Sequence, residues 1–259
     1  MKKRIIGAII VVAILVTSII LGEIPFTLVV TVSAVFGLKE LIDIKYEKEN
    51  INLVKILSGL FLILFLLNNI LYKINDKVLI ILPILGLIIP IIFYNNKSKY
   101  NINDAFYFLG IIYFLAFAFG SIIEMRETSI YKCIYIFIIS FMTDTYAYIG
   151  GMLIGKTKLT SISPKKTIEG SIIGTVMATI IGSCFYNIMI NDIGAWSIIL
   201  ISLLLSIVSQ LGDLFFSSIK RYFDINYYSN LIPGHGGIFD RLDSILFAAL
   251  AFTFVVTLL

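Results

Sequence analysis

The chain has 259 residues, 59% hydrophobic and 14% charged, with a mean hydropathy of +1.01 and a formal net charge of +4. Soluble domains average about 25% charged residues, so a soluble globular protein is excluded and a polytopic membrane protein is expected. Both cysteines, Cys133 and Cys184, lie in apolar runs as small buried hydrophobes, and the lack of any CxxC or Cys/His cluster argues against a zinc site.

The chain opens on Lys2-Lys3-Arg4 and an apolar run to Leu21. The run is long for a signal peptide and no small-x-small cleavage site follows, so it is read as an uncleaved first span. Runs able to cross a ~30 Å hydrocarbon core fall at roughly 5–22, 24–42, 52–72, 78–94, 104–123, 130–151, 170–188, 195–217 and 241–259, about nine in all. Only Gly22-Glu23-Ile24-Pro25 separates the first two, which predicts a tight helical hairpin or a pair with one re-entrant arm. Backbone groups in lipid must be bonded within their own segment, so the spans are helices and the fold class is an all-α transmembrane bundle.

Lysine and arginine orient the bundle. With the N-terminus in the cytoplasm, the inside segments hold Lys2, Lys3, Arg4, Lys39, Lys45, Lys48, Lys55, Lys97, Lys99, Lys156, Lys158, Lys165, Lys166, Lys220, Arg221 and Arg241. The outside segments hold Lys73, Lys77, Arg126 and Lys132, so the split is sixteen to four. This arrangement puts the polar loops 152–169 and 218–240 inside and the C-terminus outside.

Two polar stretches interrupt the apolar pattern. The first runs from Asp144 through Gly150-Gly151 and Lys156-Thr157-Lys158 to Ser163-Pro164-Lys165-Lys166-Thr167-Ile168-Glu169-Gly170. Lysines supply charge for an anion, while hydroxyls and backbone N–H groups supply directed donors. The run leads straight into the seventh span, whose N-terminus suits phosphate. The second contains Asp213, Ser217 and Lys220, spaced four and three apart on one helical face, and then Gly234-His235-Gly236-Gly237-Ile238-Phe239-Asp240-Arg241-Leu242-Asp243. Ionisable groups at membrane depth cost roughly 3 kcal/mol or more and mark function. The carboxylates Asp144, Asp213, Asp240 and Asp243 fall at similar depth, where Mg²⁺ could take one or two of them plus phosphate oxygens. Gly234, Gly236 and Gly237 allow close backbone approach to a ligand. His235, the only histidine, is open to readings as a loop residue, a phosphate donor or a proton carrier.

At these residues the chain resembles the phosphatidate cytidylyltransferase (CDP-diacylglycerol synthase) family. The signature Ser-x-x-Lys-Arg, spacer, Pro-x-His-Gly-Gly-x-x-Asp-Arg-x-Asp is met by Ser217, Lys220, Arg221, Pro233, His235, Gly236, Gly237, Asp240, Arg241 and Asp243. Gly212-Asp213-Leu214 and Ser163-Pro164-Lys165-Lys166-Thr167 match as well. The chain departs from the family pattern at Phe216 (usually Glu), Asn226-Tyr227 (usually Lys-Asp), Tyr146 (usually Gly) and Gly151 (often basic). These changes remove two cations and two carboxylates near the expected site.

The resemblance implies transfer of a cytidylyl group from CTP to phosphatidate in the bilayer, with Mg²⁺ as cofactor and a second cation such as K⁺ as an option. It implies Asp213, Asp240 and Asp243 at the metal. Lys220, Arg221, His235 and Arg241 become the catalytic groups, and Asp144, Ser163, Lys165, Lys166, Ser217, Gly236 and Gly237 the substrate contacts. The expected protein is one integral-membrane domain over 1–259, with N-terminal helices over 1–123 and catalytic helices and motif loops over 124–259. It is multi-pass in the cell membrane with its site facing the cytoplasm, has no nucleic-acid partner, and is compatible with a homodimer. The rival readings are a relative acting on another lipid phosphate such as an ether lipid, a non-catalytic lipid-binding paralogue, and a secondary transporter. Transporter sites lie near the bilayer midplane, whereas these charges sit at its edge.

Overall fold

The computed structural model describes residues 2–46, 51–68, 70, 73–93, 100–231 and 236–258. Among them are nine α-helices: α1 (Lys2–Leu21), α2 (Glu23–Tyr46), α3 (Asn52–Leu66), α4 (Asp76–Phe93), α5 (Ile102–Thr128), α6 (Ile130–Ile154), α7 (Ile168–Met189), α8 (Ala195–Tyr222) and α9 (Phe239–Leu258). No strand occurs among the described residues; Lys158 and Thr167 form an isolated bridge. The all-α expectation is met.

Seven helices, α2 and α4 to α9, are long and apolar enough to cross a membrane, which makes this a multi-pass membrane protein. Of the other two, α1 has 20 residues, of which Val11–Leu21 is an apolar stretch with described side chains, and α3 is shorter. With 15 residues, α3 rises about 22 Å, less than a ~30 Å hydrocarbon core. The run predicted over 52–72 ends its helix at Leu66 because Asn68 takes over the backbone: its side chain accepts from Ile74 N (2.7 Å) and donates to Ile74 O (3.0 Å). The predicted ends at 71–72 and 94 lie outside the described residues.

The chain divides into two compact units. The first comprises Met1–Ile123 with Tyr228–Ile238. Here α1 and α2 pack together across Gly22, whose φ of 119° is open to glycine and strained for other residues. Tyr46, at the end of α2, donates to Asp104 of α5 at 2.5 Å. Pro83 and Pro90 each remove an N–H from the ladder of α4. Tyr113 reaches the Ile80 carbonyl of α4, and Tyr100 that of Leu87 at 2.8 Å.

The second unit comprises Glu124–Tyr227 with Phe239–Leu259 and holds α6 to α9. Small residues bring its helices to backbone contact, the usual basis of helix association in lipid. A Cβ added to Gly174 of α7 would lie 2.6 Å from the Thr143 carbonyl of α6, and one on Gly170 would lie 2.9 Å from Gly151 N. On α8, a Cβ at Gly212 would lie 2.7 Å from the Asp243 carbonyl of α9. Hydroxyl pairs cross the same interior: Tyr135 with Ser202 at 2.7 Å and Thr143 with Ser206 at 2.8 Å. Such pairs average about 0.6 kcal/mol each in a membrane.

Candidate active site

One end of the second unit carries the polar residues. Thr167 caps α7 with its hydroxyl, which accepts from Gly170 N at 3.2 Å. Leading into this cap, residues 155–167 fold back on themselves through Ile168 N to Thr157 O (3.0 Å) and Leu159 N to Lys166 O (2.9 Å). A turn closed by Lys166 N donating to Ser163 O (3.0 Å) presents Ser163, Lys165 and Lys166 together. The Glu169 carboxylate accepts from Lys156 N and Thr157 N, both at 3.2 Å, and so is spent on the loop.

Across from this turn stands α8. Its polar residues Ser202, Ser206, Ser209, Asp213, Ser217 and Lys220 recur at intervals of three and four and so share one face. Asp213 takes the Lys166 ammonium as a direct ion pair, and Ser217 donates to its other oxygen at 3.2 Å. The expected Asp213-Ser217 face is thus present, with Ser217 serving Asp213. Lys220 turns to the start of α9 and pairs with Asp240 at 2.8 Å; the Asp240 side chain is 5% exposed. The helix stops one turn later. Asp224 adopts a left-handed φ of 52° while Ile225 N returns to the Lys220 carbonyl at 2.9 Å. Arg221, in that last turn, donates from Nε to the Ile162 carbonyl at 3.4 Å and so reaches the 155–167 loop.

Asp144 of α6 and Asp243 of α9 complete the cluster. The Ser244 hydroxyl lies 3.1 Å from Asp144 Oδ2 and 3.4 Å from Asp243 Oδ1, and its single hydrogen is shared between two carboxylates. Asp144, Asp213 and Asp243 repel one another electrostatically, while Lys166 and Lys220 offset that repulsion. A cavity of about 420 Å³ opens on this group, lined by Asp144, Asp213, Gln210, Ser163, Lys165 and Lys166, with Tyr148, Met152 and Leu159 on its apolar side.

Among the described residues no three Asp, Glu, His or Cys side chains converge into a metal cage. The donors are hard carboxylate oxygens, only partly offset by the Lys166 ammonium. They fit a cation such as Mg²⁺, which takes one or two carboxylates and draws its remaining oxygens from phosphate and water. Of the three aspartates expected at the metal, Asp213 and Asp243 are near enough to repel each other, as Asp144 is to both, and Asp240 is paired with Lys220.

Other expected residues sit elsewhere. Arg241 is exposed on the first turn of α9. Gly236 and Gly237 are buried in the first unit, where Gly236 has a φ of 85°. A Cβ on Gly237 would come within 2.6 Å of the Glu40 carboxyl carbon, so side-chain crowding already accounts for that glycine. His235 lies outside the described residues. Phe216 is fully buried and stacks on Phe239, with ring centroids 4.7 Å apart. Where the family usually has a carboxylate, this chain has an aromatic contact joining α8 to α9. Asn226 and Tyr227 are exposed.

Sequence reasoning missed Gln210, Ser171 and Ser244. Gln210 donates to Thr175 Oγ1 at 2.8 Å and accepts from Ser171, which ties α8 to α7 beside Asp213. The three-and-four spacing of Asp213 and Ser217, continued backwards to Ser209 and Ser206, carried the signal for this polar face.

The sequence profile of the cytidylyltransferase family matches residues 2–259. A protein of Staphylococcus haemolyticus named phosphatidate cytidylyltransferase is 33% identical over 252 residues, covering 95% of each chain. One of the same name in Bacillus subtilis is 33% identical over 257 residues, covering 95% of this chain and 94% of the relative. This chain belongs to the cytidylyltransferase family. The cytidylyltransferase match spans both polar stretches, and the resemblance read from the signature residues is upheld over nearly the whole length. A third relative, from Staphylococcus saprophyticus, is 32% identical over 255 residues and bears the same name.

Proposed function

We propose that this cytidylyltransferase joins CTP and phosphatidate to form CDP-diacylglycerol and pyrophosphate. Full-length identity to proteins named for that reaction carries the reading. The cavity that brings Lys165 and Lys166 to Asp213 and Asp144 supports it. A phosphate oxygen of phosphatidate attacks the α-phosphorus of CTP, and the bond from that phosphorus to the bridging oxygen breaks as pyrophosphate leaves. The nucleophile is already ionised, so a strong base is unnecessary. The barrier lies in bringing two anions together and stabilising charge in an in-line transfer.

Lys165, Lys166 and the Ser163 hydroxyl are assigned to the triphosphate, and Arg221, tethered to the same loop, to the departing phosphates. Asp213, with Asp144 or Asp243 as the second carboxylate, would hold Mg²⁺, which would supply charge neutralisation at the reacting phosphates. Lys166 would then leave Asp213 for the triphosphate. Asp240 keeps Lys220 extended, and Ser217 and Ser244 orient the metal-binding carboxylates.

Counted with α1 and α3 as crossings beside the seven longer spans, the sixteen-to-four bias of lysine and arginine supports a cytoplasmic N-terminus, a site facing the cytoplasm and an external C-terminus. CTP then arrives from the cytosol and phosphatidate from the bilayer. Purified protein in mixed micelles with labelled CTP, phosphatidate and Mg²⁺ should release labelled CDP-diacylglycerol. No product on phosphatidate, with product on an ether-lipid phosphate, would reassign the lipid; no product on either would overturn the activity. On intact cells, a membrane-impermeant thiol reagent should reach Ala195→Cys and spare Lys158→Cys, and the reverse pattern would invert the orientation.

A further inference from the structure

Three ties run from α8 to the entry of α7. Lys166 pairs with Asp213, Arg221 donates to the Ile162 carbonyl at 3.4 Å, and Gln210 bonds Ser171 and Thr175. The first two use Lys166 and Arg221, which the proposed reaction assigns to phosphate, so on that reading both open once triphosphate is bound. The third is neutral and internal. Gln210 is 7% exposed. Its amide nitrogen donates to Thr175 Oγ1 at 2.8 Å and to the Ser171 carbonyl at 3.4 Å, and its Oε1 accepts from the Ser171 hydroxyl. A carboxamide has two N–H donors, and both are spent on α7 although the residue lines the cavity. Asp213 follows Gln210 on the same face of α8, and Ser171 lies in the turn of α7 that follows the Thr167 cap, next to Lys166.

We propose that Gln210 is a positioning residue: its carboxamide is the strut that keeps Asp213 in register with the 163–166 turn once the ion pair of Lys166 with Asp213 has opened. The consequence for turnover rests on the proposed cytidylyl transfer; the strut itself does not. A side chain of the same length without amide groups would leave the two helices packed but free to slide. The hydroxyls of Ser171 and Thr175 would then turn back to carbonyls of their own helix. Methionine has that length and nearly that shape. Loss of register displaces groups that are already bound, which lowers kcat and leaves the KM for CTP nearly unchanged.

The full-length protein in detergent is compared with Gln210→Met, Thr175→Val, Thr175→Ser and the Gln210→Met/Thr175→Val pair by turnover per folded molecule. Amide exchange over residues 163–171 is followed for Gln210→Met with and without Lys166→Met. Gln210→Met should lower kcat about tenfold or more, with the KM for CTP within about threefold. Thr175→Ser keeps the hydroxyl and should stay within about twofold of wild type, Thr175→Val should lower kcat, and the pair should cost no more than Gln210→Met alone. Exchange should quicken in Gln210→Met, and by more when Lys166→Met has removed the ion pair that shares the task. A merely structural amide would lower the melting temperature of Gln210→Met and leave its kcat per folded molecule unchanged, which overturns the proposal. A raised KM with unchanged kcat would also overturn it, since Gln210 would then be a substrate contact. If wild type makes no nucleotide-linked lipid, the proposed activity falls and exchange alone decides Gln210. Faster exchange in Gln210→Met/Lys166→Met than in Lys166→Met upholds the strut, and equal exchange removes it.

Discussion

Lysine–aspartate pairs stand at both ends of the α6–α9 unit, and Lys132–Asp192 at one end and Lys166–Asp213 at the other have different surroundings. At one end Lys132 bonds Asp192 at 2.7 Å, and Tyr186 donates to the same carboxylate at 2.6 Å. One negative charge meets one positive charge and a hydroxyl, and the account closes there. At the other end Lys166 meets Asp213, but Asp144 and Asp243 add like charge beside it and a cavity of about 420 Å³ opens on the group. An ion pair is weak grounds for a site. A cluster with carboxylates in excess and free volume in front of it suits the proposed reaction, in which its lysine would give way to a metal ion and a phosphate.

The sharpest way to break this contrast is Asp213→Asn, which keeps shape and removes the charge at the centre of the cluster. Turnover should fall by about 10², the scale of losing a principal electrostatic element. Near-normal turnover at saturating Mg²⁺ would remove Asp213 from the metal site. Next in size is Lys166→Met. Losing a charge-assisted bond to the triphosphate should cost about 1.5–3 kcal/mol, roughly tenfold or more in kcat/KM for CTP. An unchanged value would make Lys166 a counter-ion for Asp213 and no more.

Gly174→Ala tests the frame that holds Asp144 and is read by thermal unfolding in detergent. The new Cβ would lie 2.6 Å from the Thr143 carbonyl, and overpacking of this kind destabilises by about 1–3 kcal/mol. An unshifted melting temperature would mean that α6 and α7 part easily.

The smallest effect is expected at the closed end. Burial alone would raise the Asp192 carboxyl, but the bonds from Lys132 and Tyr186 outweigh it and hold the group below its ordinary range. A depressed carboxyl stabilises the fold above its unfolded value, and that contribution is lost as pH falls through the folded value. Wild type should therefore lose melting temperature in acid more steeply than Asp192→Asn, and turnover of the variant at neutral pH should stay within about twofold. A larger loss of turnover would mean that the two ends are coupled.

The sequence is most informative where local spacing decides the outcome. Asp213, Ser217 and Lys220 share a face because an α-helix puts residues three and four apart together, and apolar run lengths located all nine helices. Spacing specifies a face but leaves its partner open. Lys166 reaches Asp213 across 47 residues and Ser229 reaches Glu40 across 189; neither meeting has a local signature. Phe216 reads as a lost carboxylate in one dimension and as half of a ring stack with Phe239 in three. The run over 52–72 overestimates its helix because hydropathy is blind to Asn68, whose side chain bonds the backbone as the helix unwinds.

The glycine seam between α6 and α7 also bears on how a lipid reaches the site. Gly150, Gly170 and Gly174 let α6 and α7 meet with no room for even one more methyl group. An acyl chain is far thicker than that, so it cannot slip between these two helices. On the proposed reaction, phosphatidate therefore reaches the cavity by another side; Tyr148 and Met152, which line the cavity, are exposed. On that reading, a seam of glycines closes one of the compass directions from which a two-dimensional solution of lipid could find its enzyme.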